Sequence, residues 1–477
     1  MDIPSNLTRP RARLPAQRFD AHGHAHIDLR RVWALALPLM ANSAVQIVLN
    51  LTDMWFIGHI STAALAAVGA VQWLILGVLF LLGGSSMAVQ TLASHAHGAQ
   101  RFRRAAQSAW TALWVTLVIA PVCVALGAVG GAILLPFGFA PQIAHLAQQF
   151  WFPRIGGASF AVAAWAMMGF FNGIGRTRIS FAVAAAAALA NALFNDLFIF
   201  HFGWGVAGSA WASNAAQAVG FALGFVLFLR APFRAAFRSH LTWRPVWRRI
   251  RRQLRLGLPM GLMPAADVLG FSVFQMMQVR YGTVAGAATQ MVTVLTSMAY
   301  MPGIGIATAA ATLVGQSIGA GDRQWALRLG TRVIMLAAVV MGGIGLLLAA
   351  CGPWLMPLFA GAHDAGSAAA AALGARLLWL AAAYQFFDGL NLGSSMCLRG
   401  AGDVRVPAAL MFPVCWLIFL PLAYSFTFSP GQGWFSFLPE LGWGAHGGWA
   451  AVIIYVILLG SALFLRWRSR AWQRIRI

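Results

Sequence analysis

The chain has 477 residues, of which 60% are apolar and only 9% charged. A soluble domain carries roughly 25% charged residues to coat its surface, so a soluble enzyme or binding module of this length is excluded. The formal charge of +22 consists of arginine alone, without lysine, and is spread through alternate loops, whereas nucleic-acid binding would need an autonomous basic domain.

The first thirty residues are polar and basic and lack the apolar core and small-residue cleavage site of a signal peptide. Residues 1–32 are expected to be a disordered cytoplasmic tail, and the alternating His22, His24 and His26 in it are not expected to bind metal. Apolar runs of membrane-spanning length then follow at 33–57, 64–92, 107–135, 152–174, 179–201 and 207–230, a first lobe over 33–230. Residues 231–255 form the longest basic connection. It is expected to lie as an amphipathic helix on the anionic leaflet, with Trp243 and Trp247 at the headgroups. A second lobe over 256–466 has spans at 256–281, 285–314, 332–358, 370–396, 406–427 and 447–466, and 467–477 is a basic tail. The stretch from 428 to 448 is expected to cap the outer mouth. The pattern implies an all-α integral membrane protein of about twelve helices; the alternating strands of an outer-membrane barrel are absent. Cys123, Cys351, Cys397 and Cys415 lie in apolar runs without paired spacing, so neither a disulfide nor a zinc site is expected.

Arginines cluster before the first span (Arg9 to Arg31), then at 101–104, 176–178, 230–255, 323–332, 399–405 and 466–476. The intervening loops hold almost none; only Arg154, Arg280 and Arg376 sit near that side. The positive-inside rule makes both ends cytoplasmic and the number of spans even.

The chain also repeats itself. Leu35-Ala36-Leu37-Pro38 returns 221 residues later as Leu256-Gly257-Leu258-Pro259, as do Thr91-Leu92 at 312–313 and Gly98-Ala99 at 319–320. A shift of 227 takes the segment from Gly173 to Arg178 onto that from Gly400 to Arg405. A repeat of six spans keeps its orientation, which gives two parallel halves related about the membrane normal, a design of alternating-access transporters. Duplicated halves occur in channels too, but here the acids differ between halves and form no ring.

Four of the eleven acids fall within spans: Asp53, Asp196, Asp267 and Asp388. Each costs roughly 2.5–3.5 kcal/mol at mid-bilayer, and no basic residue is expected in the adjacent spans. Carboxylates of this kind suit a wet cavity and a mobile cation. Asn50, Asn191 and Asn195 are candidate neutral ligands beside Asp53, the last two one helical turn apart. Tyr384, one turn before Asp388, could hold an organic cation or simply pack. Asp196 lies near the outer end of its helix. Pro259 and Pro264 would bend the helix that carries Asp267.

At these residues the chain resembles the multidrug and toxic compound extrusion (MATE) family, particularly its NorM-like branch. The resemblance runs from about residue 30 to 466. It rests on NLTDMWFIGHIST at 50–62, NALFND at 191–196, GVAGSAWA at 205–212, GLPMGLMPAAD at 257–267, TLVGQSIGAGD at 312–322 and YQFFDGLNLGSSMCLRGAGD at 384–403. The resemblance implies two six-helix lobes around a V-shaped cavity in the bacterial inner membrane, no ATPase domain, no cofactor, and a monomer. It implies exchange of Na⁺ or H⁺ for cationic amphipathic compounds, with Asp53, Asn191, Asn195, Asp267 and Asp388 coupling the ion. Na⁺ would sit at Asp53 or Asp388. Tyr384, Asp388 and Asn50 would meet the substrate and Asp196 would be accessory. Asp267 stands where glutamate is usual, which shortens its reach by one methylene; Asn195 replaces an archaeal aspartate and Asp196 a common proline. A flippase of lipid-linked precursors would need arginines in its cavity for pyrophosphate, and the spans hold almost none. A membrane-embedded enzyme would have to build on His95 and His97, which no further ligands accompany.

Overall fold

The computed structural model describes residues 14–137, 139–359, 365–434 and 438–475; Arg9, Arg11 and Arg13, the end of the basic tail and part of the 428–448 stretch lie outside them. In hydrocarbon every backbone N–H and C=O must be satisfied within its own segment, and these apolar runs accordingly fold as helices. Eleven described helices are long and apolar enough to cross a membrane, and one bent pair makes a twelfth span. The first six are α1 (Leu29–Gly58), α2 (Thr62–Gly98), α3 (Phe102–Ala128), α4 (Pro141–Gly156 with Ala158–Gly173), α5 (Thr177–His201) and α6 (Gly205–Leu229). The second six are α7 (Trp247–Tyr281), α8 (Thr283–Gly319), α9 (Arg323–Phe359), α10 (Ala365–Ala401), α11 (Arg405–Thr427) and α12 (Gly444–Arg468).

Three sequence expectations need correction. The segment from Phe137 to Gln149, read as an outer loop, is helical from Pro141; α4 starts there and bends by 44° at Gly157. Asn214 sits at the bend: its amide packs where a Cβ of residue 157 would lie and donates to the Pro153 carbonyl, which also accepts from Gly157 N at 3.0 Å. The connection 231–255 is not one surface helix. A short helix, Ala231–Phe237, ends at Arg238 with a left-handed φ of 49°, and residues 247–255 are the first turns of α7. No glycine or proline interrupts Trp247–Leu256, so the helix runs on past the hydrocarbon. Finally, residues 14–28 of the tail are ordered. Strands β1 (Gln17–Phe19) and β2 (Ala25–Ile27) pair antiparallel around a turn closed by Gly23 at φ +79°. The Asp20 carboxylate accepts from His24 N at 2.8 Å and His22 N at 2.9 Å and meets the His26 ring at 2.9 Å, so the alternating histidines surround the carboxylate that closes the hairpin turn. Pro15 O accepts from the Trp325 indole at 2.9 Å and fastens the hairpin beneath α9.

The helices form two groups, α1–α6 and α7–α12, joined along a seam. Every hydrogen bond between the groups among the described residues lies toward the arginine-rich end. Gln90 donates to Thr308 O and Thr312 Oγ1, Thr91 to Arg399 O, Gln253 to Ser85 O and Arg399 to Met87 O. Thr312 and Gln316 donate to the Asn172 and Gly173 carbonyls. Backbones touch here because the residues are small: a Cβ at Gly84 would strike Gly257, one at Gly98 would strike Gln316, and one at Gly319 would strike His95. Small residues permit such approach in membranes, where packing rather than the hydrophobic effect holds helices together. The first helix is shared. Val32, Ala36 and Leu39 belong to the core of the second group, and Met40 abuts Gly305 of α8, whereas the outer part of α1 lies against α5.

Candidate functional site

Two acidic centres arise, one in each group. In the first, α1 presents Asp53 to α5 and α6. Asn195 Nδ2 donates to Asp53 Oδ1 at 2.6 Å and Ser213 Oγ to Asp53 Oδ2 at 3.1 Å. Asn195 also bonds Asn191 Oδ1 at 3.1 Å, as expected of residues one turn apart, and both asparagines are fully buried. Asn195 Oδ1 has no partner among the described residues, so a buried acceptor is left beside the carboxylate. Arg154, carried inward by the break in α4, donates to Asn214 Oδ1 at 3.1 Å and lies within electrostatic reach of Asp53. The expectation that no basic residue approaches the membrane acids therefore fails for Asp53. The cause is the bend at Gly157, which sequence spacing does not reveal.

The second centre lies between α7, α8, α10 and α12. Tyr455 Oη donates to Asp267 Oδ1 at 2.7 Å, so the shorter acid at this position is met by a phenol. Asp388 lies within electrostatic reach of Asp267, and its only hydrogen bond among the described residues is a long one, 3.4 Å, from Asn391 Nδ2. Asn391 Oδ1 is buried without a partner among the described residues. Tyr300 of α8 feels both carboxylates. Among the described residues neither acid has a cationic partner.

Other candidates fall elsewhere. Tyr384 is buried and its ring is stacked on Trp449, centroids 6.2 Å apart, so that face is engaged in packing. Asn50 is exposed and makes no hydrogen bond to Asp53. Asp196 points outward and pairs with His201 at 3.5 Å, because α5 widens into a π-helical turn over Leu197–His201. His95 bonds the Gly400 carbonyl across the seam at 2.7 Å and His97 stacks on Phe237 within the first group, both structural roles. Among the described residues no group of three or more His, Cys, Asp or Glu could hold a metal ion. Sequence reading missed Ser213, Arg154, Asn391, Tyr300 and Tyr455. Asn391 was legible, one turn after Asp388; the others needed the helix packing.

The MatE family model matches residues 38–197 and 259–425, one block in each half. The chain belongs to the MatE family. It is a membrane transporter and not an enzyme, in keeping with that family. It is 27% identical to a probable multidrug resistance protein NorM of Bradyrhizobium diazoefficiens, over 99% of this chain and 98% of the relative. It is 30% identical to another of that name from Rhodopseudomonas palustris, over 82% and 85%. The multidrug resistance protein NorM of Burkholderia vietnamiensis is 29% identical over 94% and 96%. In fold, the chain is similar to the outward-facing conformation of a multidrug resistance MATE transporter of the MOP superfamily. The TM-score is 0.81, with 18% identity, over 93% of this chain and 96% of the other. A MOP superfamily transporter from Pyrococcus furiosus matches with a TM-score of 0.80, at 18% identity and the same coverage. The MatE fold thus places one acidic centre inside each six-helix group, and among the described residues the hydrogen bonds between the groups are confined to one end.

Proposed function

We propose that this transporter is a cation-coupled antiporter that exports cationic or amphipathic drugs across the bacterial inner membrane, as a monomer with both termini in the cytoplasm. The observation that carries the reading is the second centre: two neighbouring carboxylates, Asp267 and Asp388, with hydrogen-bond donors but, among the described residues, no cation beside them. Two like charges close together in a low-dielectric interior are costly, so the site favours taking up H⁺ or Na⁺. An orphan amide oxygen at each centre, Asn391 Oδ1 and Asn195 Oδ1, adds a neutral ligand suited to a small hard cation. The relatives' names, multidrug resistance protein NorM, support drug-like cargo.

Ion loading at a carboxylate changes which arrangement of the two groups is favoured, and cargo binding is linked to it by the same equilibrium. The seam holds the arginine-rich end closed in the present arrangement. Loading the acids from outside and releasing cargo there belong to this arrangement; breaking the seam exposes the acids to the cytoplasm.

The test is efflux of a fluorescent organic cation in inverted vesicles under separately imposed Na⁺ and H⁺ gradients. Stimulation by one gradient supports coupling and names the ion. Stimulation by neither refutes it and turns the reading toward a flippase.

A further inference from the structure

Six arginines converge on one cavity of about 790 Å³ at the end where the seam is closed. Arg101 and Arg104 come from the start of α3, in the first group. Arg248, Arg249 and Arg252 come from the extension of α7 and Arg323 from the start of α9, all in the second group. Among the described residues the lining contains no Asp or Glu. The ion pairs that arginines form among the described residues, Arg31 with Asp28 and Arg466 with Asp403, lie elsewhere. Asp322, beside Arg323 in sequence, spends its carboxylate on the Trp325 N–H at 2.7 Å. Arg104 and Arg252, from opposite groups, line the same hollow and lie within electrostatic reach of each other. Topology alone asks for arginines near this membrane face; it does not ask that six from both groups share one hollow.

The floor of the hollow is the seam. His95 and Gln253 both line it, and they bond across the groups to Gly400 O and Ser85 O. Gly319 lies there against the His95 backbone. Guanidinium groups form planar, charge-assisted hydrogen bonds with phosphate. The volume admits more than one phosphate group, within the range usual for small-ligand pockets.

We infer that this cavity binds a phosphate-bearing anion, either an anionic lipid headgroup or a soluble polyphosphate, and that the anion clips the two groups together across the closed seam. Separating the groups would part Arg101 and Arg104 from the four arginines of the second group and destroy the site. By linkage, an anion that binds only the joined state stabilises it. The anion site belongs to the seam and is independent of the cargo.

The full-length protein is placed in nanodiscs of neutral phosphatidylcholine, with and without phosphatidylglycerol, and titrated with inorganic pyrophosphate. Hydrogen exchange is read in peptides covering 88–98 and 308–319. Either anion is expected to slow exchange there at least threefold. The Arg104→Gln/Arg252→Gln variant should lose this protection, while Arg178→Gln, an exposed arginine outside the cavity, keeps it. Protection by phosphatidylglycerol alone names the headgroup as the source; protection by pyrophosphate alone names a soluble phosphate. No protection by either anion overturns the inference, and so does equal protection of the double variant. Should that variant fail to give monodisperse protein, Arg101→Gln and Arg249→Gln singly decide, each expected to raise the half-protecting concentration at least threefold.

Discussion

Gly84→Ala tests whether the contact between the groups is as close as the backbone geometry states. A Cβ at residue 84 would stand 3.1 Å from both Gly257 C and Gly261 N, and closer still to the Gly257 carbonyl oxygen. All three atoms are backbone, so no rotamer can yield, and α2 and α7 must draw apart until ordinary contact is restored. Overpacking of one methyl group costs about 1–3 kcal/mol, which at about 1.4 kcal/mol per decade disfavours the joined state roughly 5- to 150-fold. Hydrogen exchange in peptides over 84–98 and 308–319 reads this shift, because opening the seam bares these helix faces to water and lets their backbone amides open more often. Exchange should rise at least fivefold there, with the outer ends of α1 and α6 unchanged. Gly69→Ala, where a Cβ would meet nothing within 4 Å, is the control. Unchanged exchange in a folded Gly84→Ala protein, or an equal rise in the control, would refute the reasoning.

Asp388→Asn should abolish coupled efflux in inverted vesicles while gel filtration shows a normally inserted monodisperse protein; undiminished efflux removes Asp388 from the mechanism. Tyr455→Phe deletes the donor that satisfies the unloaded Asp267 carboxylate. A hydrogen bond to a charged group contributes about 1.5–3 kcal/mol, so the half-saturating concentration of the coupling cation should fall by at least tenfold. Asn195→Leu removes the 2.6 Å bond to Asp53 and the orphan oxygen beside it. Coupled efflux should drop at least tenfold and the apparent melting temperature should fall. In the hairpin, the backbone N–H of His24, then the His26 ring, hold the Asp20 carboxyl below its usual range. A depressed carboxyl supports the fold above its unfolded pKa and loses that support as pH falls through the lowered value. Exchange protection of residues 25–27 should therefore persist at neutral pH and fade only in acid below about pH 4, and Asp20→Asn should flatten that profile.

Helix number, order and type were legible because each span is a continuous apolar run and loops are marked by arginine or by Gly and Pro. Boundaries were less so. The α7 extension is as arginine-rich as any loop, and only the lack of a breaker between Trp247 and Leu256 hinted that the helix continues. The acids were visible because charge in an apolar run is anomalous. Their partners were not, since Ser213, Tyr300 and Tyr455 are ordinary residues until packing brings them beside a carboxylate. Arg154 was set aside as a residue of the outer side, because nothing in the spacing shows a helix breaking at Gly157 and turning that residue inward. The opposite error befell Asn50: three residues before Asp53, it looked like a companion, but it lies exposed on α1.

The shared first helix has a mechanical consequence. It is a single rod carried in two bearings, its inner turns seated in the second group and its outer turns against α5. Any rotation of one group against the other loads this rod in torsion or bending. The softest point is where Pro38 lacks the N–H that would bond the Ala34 carbonyl, two residues before Met40 meets Gly305. Asp53 lies 15 residues beyond that point on the same rod, about 22 Å along the axis at 1.5 Å per residue. Strain at the seam thus reaches the first acidic centre along covalent backbone, without a relay of side chains between the groups.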